Sequence, residues 1–222
     1  MTGLPLGIRR VVDLSSPLST ETVVYPGSLS FSLFTRSRID VHGRRTAELR
    51  LTTHTGTHVD AAAHVFADGE GIDQVALDRL IGWARVFKLK EARSVGRFYS
   101  IDDLEGDLER AKDIEILLVA VAGSLDGNFP GNECEYPVPD RSVLEWVLRA
   151  KVKIFGTDAI SIDPVGSRSM ENHRLLLGKG ILVAEALTNL SDLPTDPFVL
   201  VCAPLRIVDG DGAPCRAFAL LV

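Results

Sequence analysis

Residues 114–123 read IEILLVAVAG, an apolar run interrupted by a single charge. A strand with one wet face alternates polar and apolar side chains, so a run without alternation is covered on both faces. Such a strand needs a packed layer on each side, which restricts the fold to a layered α/β arrangement. The chain repeats the theme in ILVAEAL at 181–187, FVLVCAPLRIV at 198–208 and CRAFALLV at 215–222.

The first third is also strand-like. IRRVVDLS (8–15), LSFSLFTRS (29–37) and TAELRLTTHTGTH (46–58) are short, β-branched or alternating, with Pro26-Gly27 as a turn between the first two. VALDRLIG (75–82) predicts a short helix and ARVFKLK (84–90) a strand. SIDDLEGDLERA (100–111) predicts a helix with Ser100 as N-cap and acids in its first turn. DRSVLEWVLRAK (140–151) predicts another, capped by Asp140, followed by KIFGTDAISID (153–163), a strand ending in a polar turn. The long Gly- and Pro-rich stretch 123–140 predicts a loop, with Phe129 as a candidate contact for an aromatic substrate. The expected fold is a mixed α/β domain with more strand than helix.

With 222 residues, 45% of them apolar, the chain can bury one sizeable core, so a single domain over 1–222 is expected. A net charge of −6 argues against a nucleic-acid surface, which needs a basic face. No apolar run approaches the roughly 18–20 residues of a membrane span, and Arg9, Arg10 and Asp13 break up the N-terminal segment where a signal peptide would be apolar. The 3 cysteines, Cys134, Cys202 and Cys215, are widely spaced, which predicts a reducing, cytoplasmic setting.

The chemistry concentrates in THTGTHVDAAAH (53–64), which holds His54, His58 and His64 out of 5 histidines, together with Asp60. All four numbers are even, so on extended chain the side chains share one face. Histidine with carboxylate suits zinc, and also manganese or iron. Glu185, inside the apolar ILVAEAL, is costly to bury unless paired or metal-bound. His42, in DVHGRR, reads as a surface residue.

HTGTHVDAAAH resembles the His-x-Gly-Thr-His-x-Asp signature of the metal-dependent cyclase family, which includes bacterial kynurenine formamidase and isatin hydrolase. Segments 11–31, 136–163 and 172–190 are similar to family segments in the same order. The resemblance implies a swivelling β/β/α fold with a mixed sheet of many strands. It implies His54, His58, Asp60, His173 and Glu185 as metal ligands and His64 as general base, or as a ligand in a second role. It implies one or two divalent ions, zinc ahead of manganese, and a homo-oligomer, dimer or tetramer. Asp158, Ser161 and Asp163 are candidates for orienting the ligand histidines. Ala62 stands where many members have proline and Ser28 where an acid is common, and 123–137 lacks an Arg-Thr-Gly-Trp-like stretch, so the substrate stays open.

These residues suit addition of water to a carbonyl, with His64 handing a proton to the leaving nitrogen. The expectation is a hydrolase of an aryl formamide or cyclic amide. A lactone hydrolase, a cyclase or dehydratase using the same site, and a non-catalytic metal-binding protein are the rivals. Nothing resembles a nucleophile elbow or a nucleotide-binding glycine loop.

Overall fold

The computed structural model describes residues 7–90, 98–106, 108–111, 114–121 and 136–222. Phe129 and Cys134 lie outside them, as does most of the long loop. In chain order the strands are β1 (Arg10–Asp13), β2 (Ser32–Ser37), β3 (Thr46–Arg50), β4 (His58–Asp60), β5 (Ile81–Lys88), β6 (Phe98–Tyr99), β7 (Ile116–Ala120), β8 (Val138–Pro139), β9 (Ile154–Thr157), β10 (Leu182–Glu185), β11 (Phe198–Pro204) and β12 (Gly212–Leu221). The α-helices are α1 (Ile39–His42), α2 (Arg141–Ala150) and α3 (Glu171–Leu177).

The main sheet has 8 strands in the order β1-β12-β11-β5-β7-β9-β10-β4. β4 also pairs back to β12, so the sheet closes into a barrel, with β1 extending outward from β12. β5, β7, β9 and β10 run parallel to one another, and the pairings that involve β4, β11 and β12 are antiparallel. This is the mixed, strand-rich α/β architecture expected of a swivelling β/β/α domain.

Side-chain alternation builds a core on each face of the barrel wall. Val59, Ile116, Leu118, Ile154, Leu182 and Ala184 fill the barrel with Leu200 and Ala217. Leu117, Val119, Phe155 and Val183 point outward and pack with Leu144 and Val147 of α2 and Leu176 of α3. β7 is therefore covered on both faces, as its unbroken apolar run requires. Fully burying one of these side chains is worth about 1.5–3 kcal/mol.

Several local expectations change. Residues 100–111 do not form one helix but two short 3₁₀ turns, Ile101–Asp103 and Leu108–Ala111. Ser100 caps as expected, through a capping box with Asp103. Leu104 then turns extended to bury its side chain, and Gly106 at φ 91 redirects the chain, so the helix cannot propagate. VALDRLIG yields only a 3₁₀ turn, Leu77–Arg79, because β5 begins immediately afterwards. α2 matches its expectation, with the Asp140 carboxylate accepting from the N–H groups of Ser142 and Val143.

α3 had no clear signal. Its N-cap, Met170, is left-handed and offers no side-chain cap. Asp163 caps it instead, accepting from Asn172 N–H at 3.0 Å and His173 N–H at 3.1 Å. Among the described residues no helix is long and apolar enough to cross a membrane.

Candidate active site

The site lies where β4 closes the barrel. Glu185 faces His58 across the β10–β4 ladder, and Gly212 faces Asp60 across the β12–β4 ladder. Since Val59 points into the barrel, His58 and Asp60 point outward. The shared face expected for even-numbered residues holds for these two. It does not hold as a strand argument for His54 and His64. β3 ends at Arg50, His54 sits in a turn that Gly56 completes at φ 65, and His64 ends a 3₁₀ turn, Ala62–His64.

The turns still deliver both rings to the same place. His54 Nδ1 is 2.7 Å from Asp60 Oδ1, and the His54 and His64 ring centroids are 4.0 Å apart. His58 Nε2 lies 3.4 Å from both Asp60 Oδ1 and Glu185 Oε2. α3 brings His173, whose Nε2 is 3.3 Å from Asp60 Oδ2 and 3.1 Å from Glu185 Oε1. His54, His58, Asp60, His173, Glu185 and His64 are thus gathered from three stretches of chain, and all but His54 and His64 are almost wholly buried.

An outer acceptor holds the far nitrogen of each of these rings. His58 Nδ1–H donates to Gly56 O at 2.7 Å, and His173 Nδ1–H donates to Asp163 Oδ2 at 2.7 Å. His54 Nε2 is 2.8 Å from Asp211 Oδ2, and His64 Nδ1 is 3.3 Å from the same oxygen. Of the three residues expected to orient histidines, Asp163 touches one. Ser161 Oγ accepts from Asp163 N–H at 3.3 Å, and Asp158 accepts from Val121 N–H at 2.8 Å, joining β7 to the turn after β9. His42 is exposed on α1, accepting at Nδ1 from Arg38 N–H.

The donor set fits a divalent cation. His58 Nε2 and Asp60 Oδ2 are buried and make no hydrogen bond, which costs about 1–3 kcal/mol each when nothing else satisfies them. Ligand atoms of His58, Asp60 and Glu185 lie within 4.8 Å of one another, as do those of His54, Asp60 and His64. Asp60 belongs to both sets, one carboxylate serving two groups of ligands.

Electrostatics follow from this crowding. Burial opposes charge on His58 and His173, yet Asp60 and Glu185 hold both well above the usual histidine range. Burial likewise works against a charged His54, but Asp60 and Asp211 raise it to about 9. Burial favours a neutral Asp60, but His58 and His54 hold it well below the usual carboxylate range. His64 goes the other way: burial, with the neighbouring His54 and His173, lowers it, so it is neutral at pH 7.

A pocket of about 240 Å³ opens onto these residues, walled by Tyr25, Ser28, Ile160, Pro164 and Met170. The Tyr25 hydroxyl accepts from Gly166 N–H at 2.7 Å. Sequence reasoning missed Tyr25 and Asp211. Both sit in turns rich in Gly or Pro, where an ordinary turn role accounts for them, and no local pattern ties either to residues far along the chain.

Comparison with known proteins adds the family. The model described as "Putative cyclase" matches residues 12–164. The chain belongs to the cyclase family. Kynurenine formamidase of Salinibacter ruber is 35% identical over 211 residues, spanning 93% of this chain and 95% of that one. The Erythrobacter litoralis kynurenine formamidase is 32% identical, covering 94% and 93%. Isatin hydrolase A from Ralstonia solanacearum superposes with a TM-score of 0.81 at 26% identity, covering 96% and 92%. Isatin hydrolase A from Labrenzia aggregata, solved with benzyl benzoate, shares the fold at a TM-score of 0.83 and 24% identity, covering 96% and 93%.

Proposed function

We propose that this chain is a metal-dependent amidohydrolase that cleaves the C–N bond of an aryl formamide such as N-formylkynurenine, or of a cyclic amide such as isatin. One observation carries the reading. The ring nitrogens of His54, His58 and His173 converge on Asp60 and Glu185 while outer acceptors hold their far nitrogens, at the floor of a small pocket.

His54, His58, Asp60, His173 and Glu185 would hold the ion, zinc ahead of manganese on a donor set of nitrogen and oxygen. With two ions, Asp60 would serve both. When bound, the cation supplies a Lewis acid that polarises a carbonyl and acidifies water. His64, neutral at pH 7, takes a proton from the attacking water and returns it to the departing nitrogen. Ile160, Pro164, Met170 and the Tyr25 ring form the apolar wall against which a flat ring packs. The pocket volume suits a single- or double-ring substrate better than a peptide.

The reading includes a cytoplasmic homo-oligomer, a dimer or tetramer, with a small molecule as substrate. The β2–β3 ribbon supports assembly: Leu33, Phe34 and Leu49 are exposed on it, and an isolated two-stranded ribbon is marginal in water. Protein stripped of metal and reloaded separately with zinc and manganese should regain hydrolysis of N-formylkynurenine or isatin. Fully loaded protein that leaves both intact would refute the substrate class.

A further inference from the structure

Asp211 stands one residue before β12, far in sequence from the histidine cluster. Its backbone carbonyl accepts from Ala61 N–H at 3.0 Å, which ties it to the chain leaving β4. Its Oδ2 faces His54 Nε2 at 2.8 Å and His64 Nδ1 at 3.3 Å. Gly212 beside it leaves bare backbone under the His54 ring: an added Cβ there would lie 2.9 Å from His54 Cε1.

We propose that Asp211 is a positioning residue that sets the tautomer and orientation of His54 and His64 together. The proposal rests on the metal-dependent reading of the site. A carboxylate accepts only, so it selects the tautomer in which the nitrogen facing it carries the proton. His54 faces a carboxylate at each nitrogen, so both nitrogens carry a proton until an ion takes the Nδ1 side, where the ligand atoms gather; Asp211 then keeps the remaining proton on Nε2. For His64 it places the proton on Nδ1 and leaves Nε2 as proton acceptor. One oxygen serves both rings, so the ligand and the base share one anchor. His58 and His173 have the same arrangement through Gly56 O and Asp163. Asp211 completes for His54 what those acceptors do for the other two.

Outer partners of ligand histidines typically account for about 10- to 100-fold in metal affinity or activity. The test measures zinc affinity by chelator competition for wild type, D211A, D211N, H54A and the H54A/D211A pair, with circular dichroism to confirm folding. D211A should weaken zinc binding about 10- to 100-fold. D211N keeps the shape but loses the charge that strengthens the bond, so its loss should be smaller but measurable, about 3-fold or more. With His54 absent, removing Asp211 should add little, because contacting residues that act as a unit are not additive. Should D211A fail to fold, the asparagine variant carries the test. Wild-type affinity in whichever variant folds, or a D211A loss undiminished in the H54A background, overturns the proposal. Wild-type protein that binds zinc but hydrolyses neither substrate overturns the substrate reading alone. Protein that binds neither zinc nor manganese overturns both.

Discussion

Gly212→Ala adds one methyl group where backbone and the His54 ring meet closely. The new carbon would lie 2.8 Å from Val59 O, 2.9 Å from His54 Cε1 and 3.4 Å from Asp60 Oδ1. Carbon contacts relax to about 3.5–4.0 Å, so roughly 0.6 Å of movement is needed against the ring. Val59 cannot supply it, because β4 is paired on both edges. His54 must move instead, and its two contacts at 2.7 and 2.8 Å then reach or exceed normal hydrogen-bond length. Overpacking of this kind costs about 1–3 kcal/mol. If the cost falls on the metal-binding geometry, it corresponds to about 5- to 150-fold in zinc affinity, since 1.4 kcal/mol is tenfold. Zinc competition and a thermal melt on purified G212A read both quantities. A variant with wild-type affinity and an unchanged melting temperature would show that the approach of Gly212 to His54 places no constraint on the site.

Other outcomes follow from the same geometry. His64→Ala should keep its metal and lose about 10²- to 10⁴-fold in kcat, as expected for loss of a general base, with metal content read by elemental analysis; loss of the ion along with activity would make His64 a ligand. Asp163→Ala removes the cap of α3 and the acceptor for His173, so the melting temperature should fall by an amount equivalent to about 1–2 kcal/mol, with weaker metal retention. In metal-free protein His54 has its pKa raised to about 9 from 6.5, with its side chain only 23% exposed. The raised value means that the stabilisation is fully present below about pH 6.5 and is lost as pH rises through about 9, a change of about 3 kcal/mol. Melting temperatures of metal-free protein should therefore fall between pH 6.5 and 9.5, and a flat or rising profile would contradict the pairing with Asp60 and Asp211.

Much of the fold was legible because its signals are local. The apolar stretch 116–120 within the run at 114–123 is β7, covered on both faces, and Asp140 caps α2 through its own next residues. Signals failed where a local preference met a stronger non-local demand. The acids at 100–111 favour a helix, but burial of Leu104 in the outer core stops it after one turn. α3 lacks a local cap because its cap comes from Asp163, across a turn of the chain.

The site divides the same way. That His58 and Asp60 stand together follows from their spacing, since side chains two apart on a strand share a face. A carboxylate at 185 in an apolar strand needs a partner, which is also readable from sequence. Which partner it finds, His58 across the ladder and His173 from α3, depends on barrel closure. The turns that carry His54 and His64 reach the site by backbone geometry at Gly56 and Ala62–His64, not by strand parity. Asp211 is the extreme case. It lies 157 residues from His54 and 147 from His64, and only the pairing of β12 with β4 brings its carboxylate to their rings. Sequence carries residue type and local period, enough for the ligand chemistry and the strands. Contacts between distant segments depend on how the sheet closes, so the second half of the site exists only in the folded barrel.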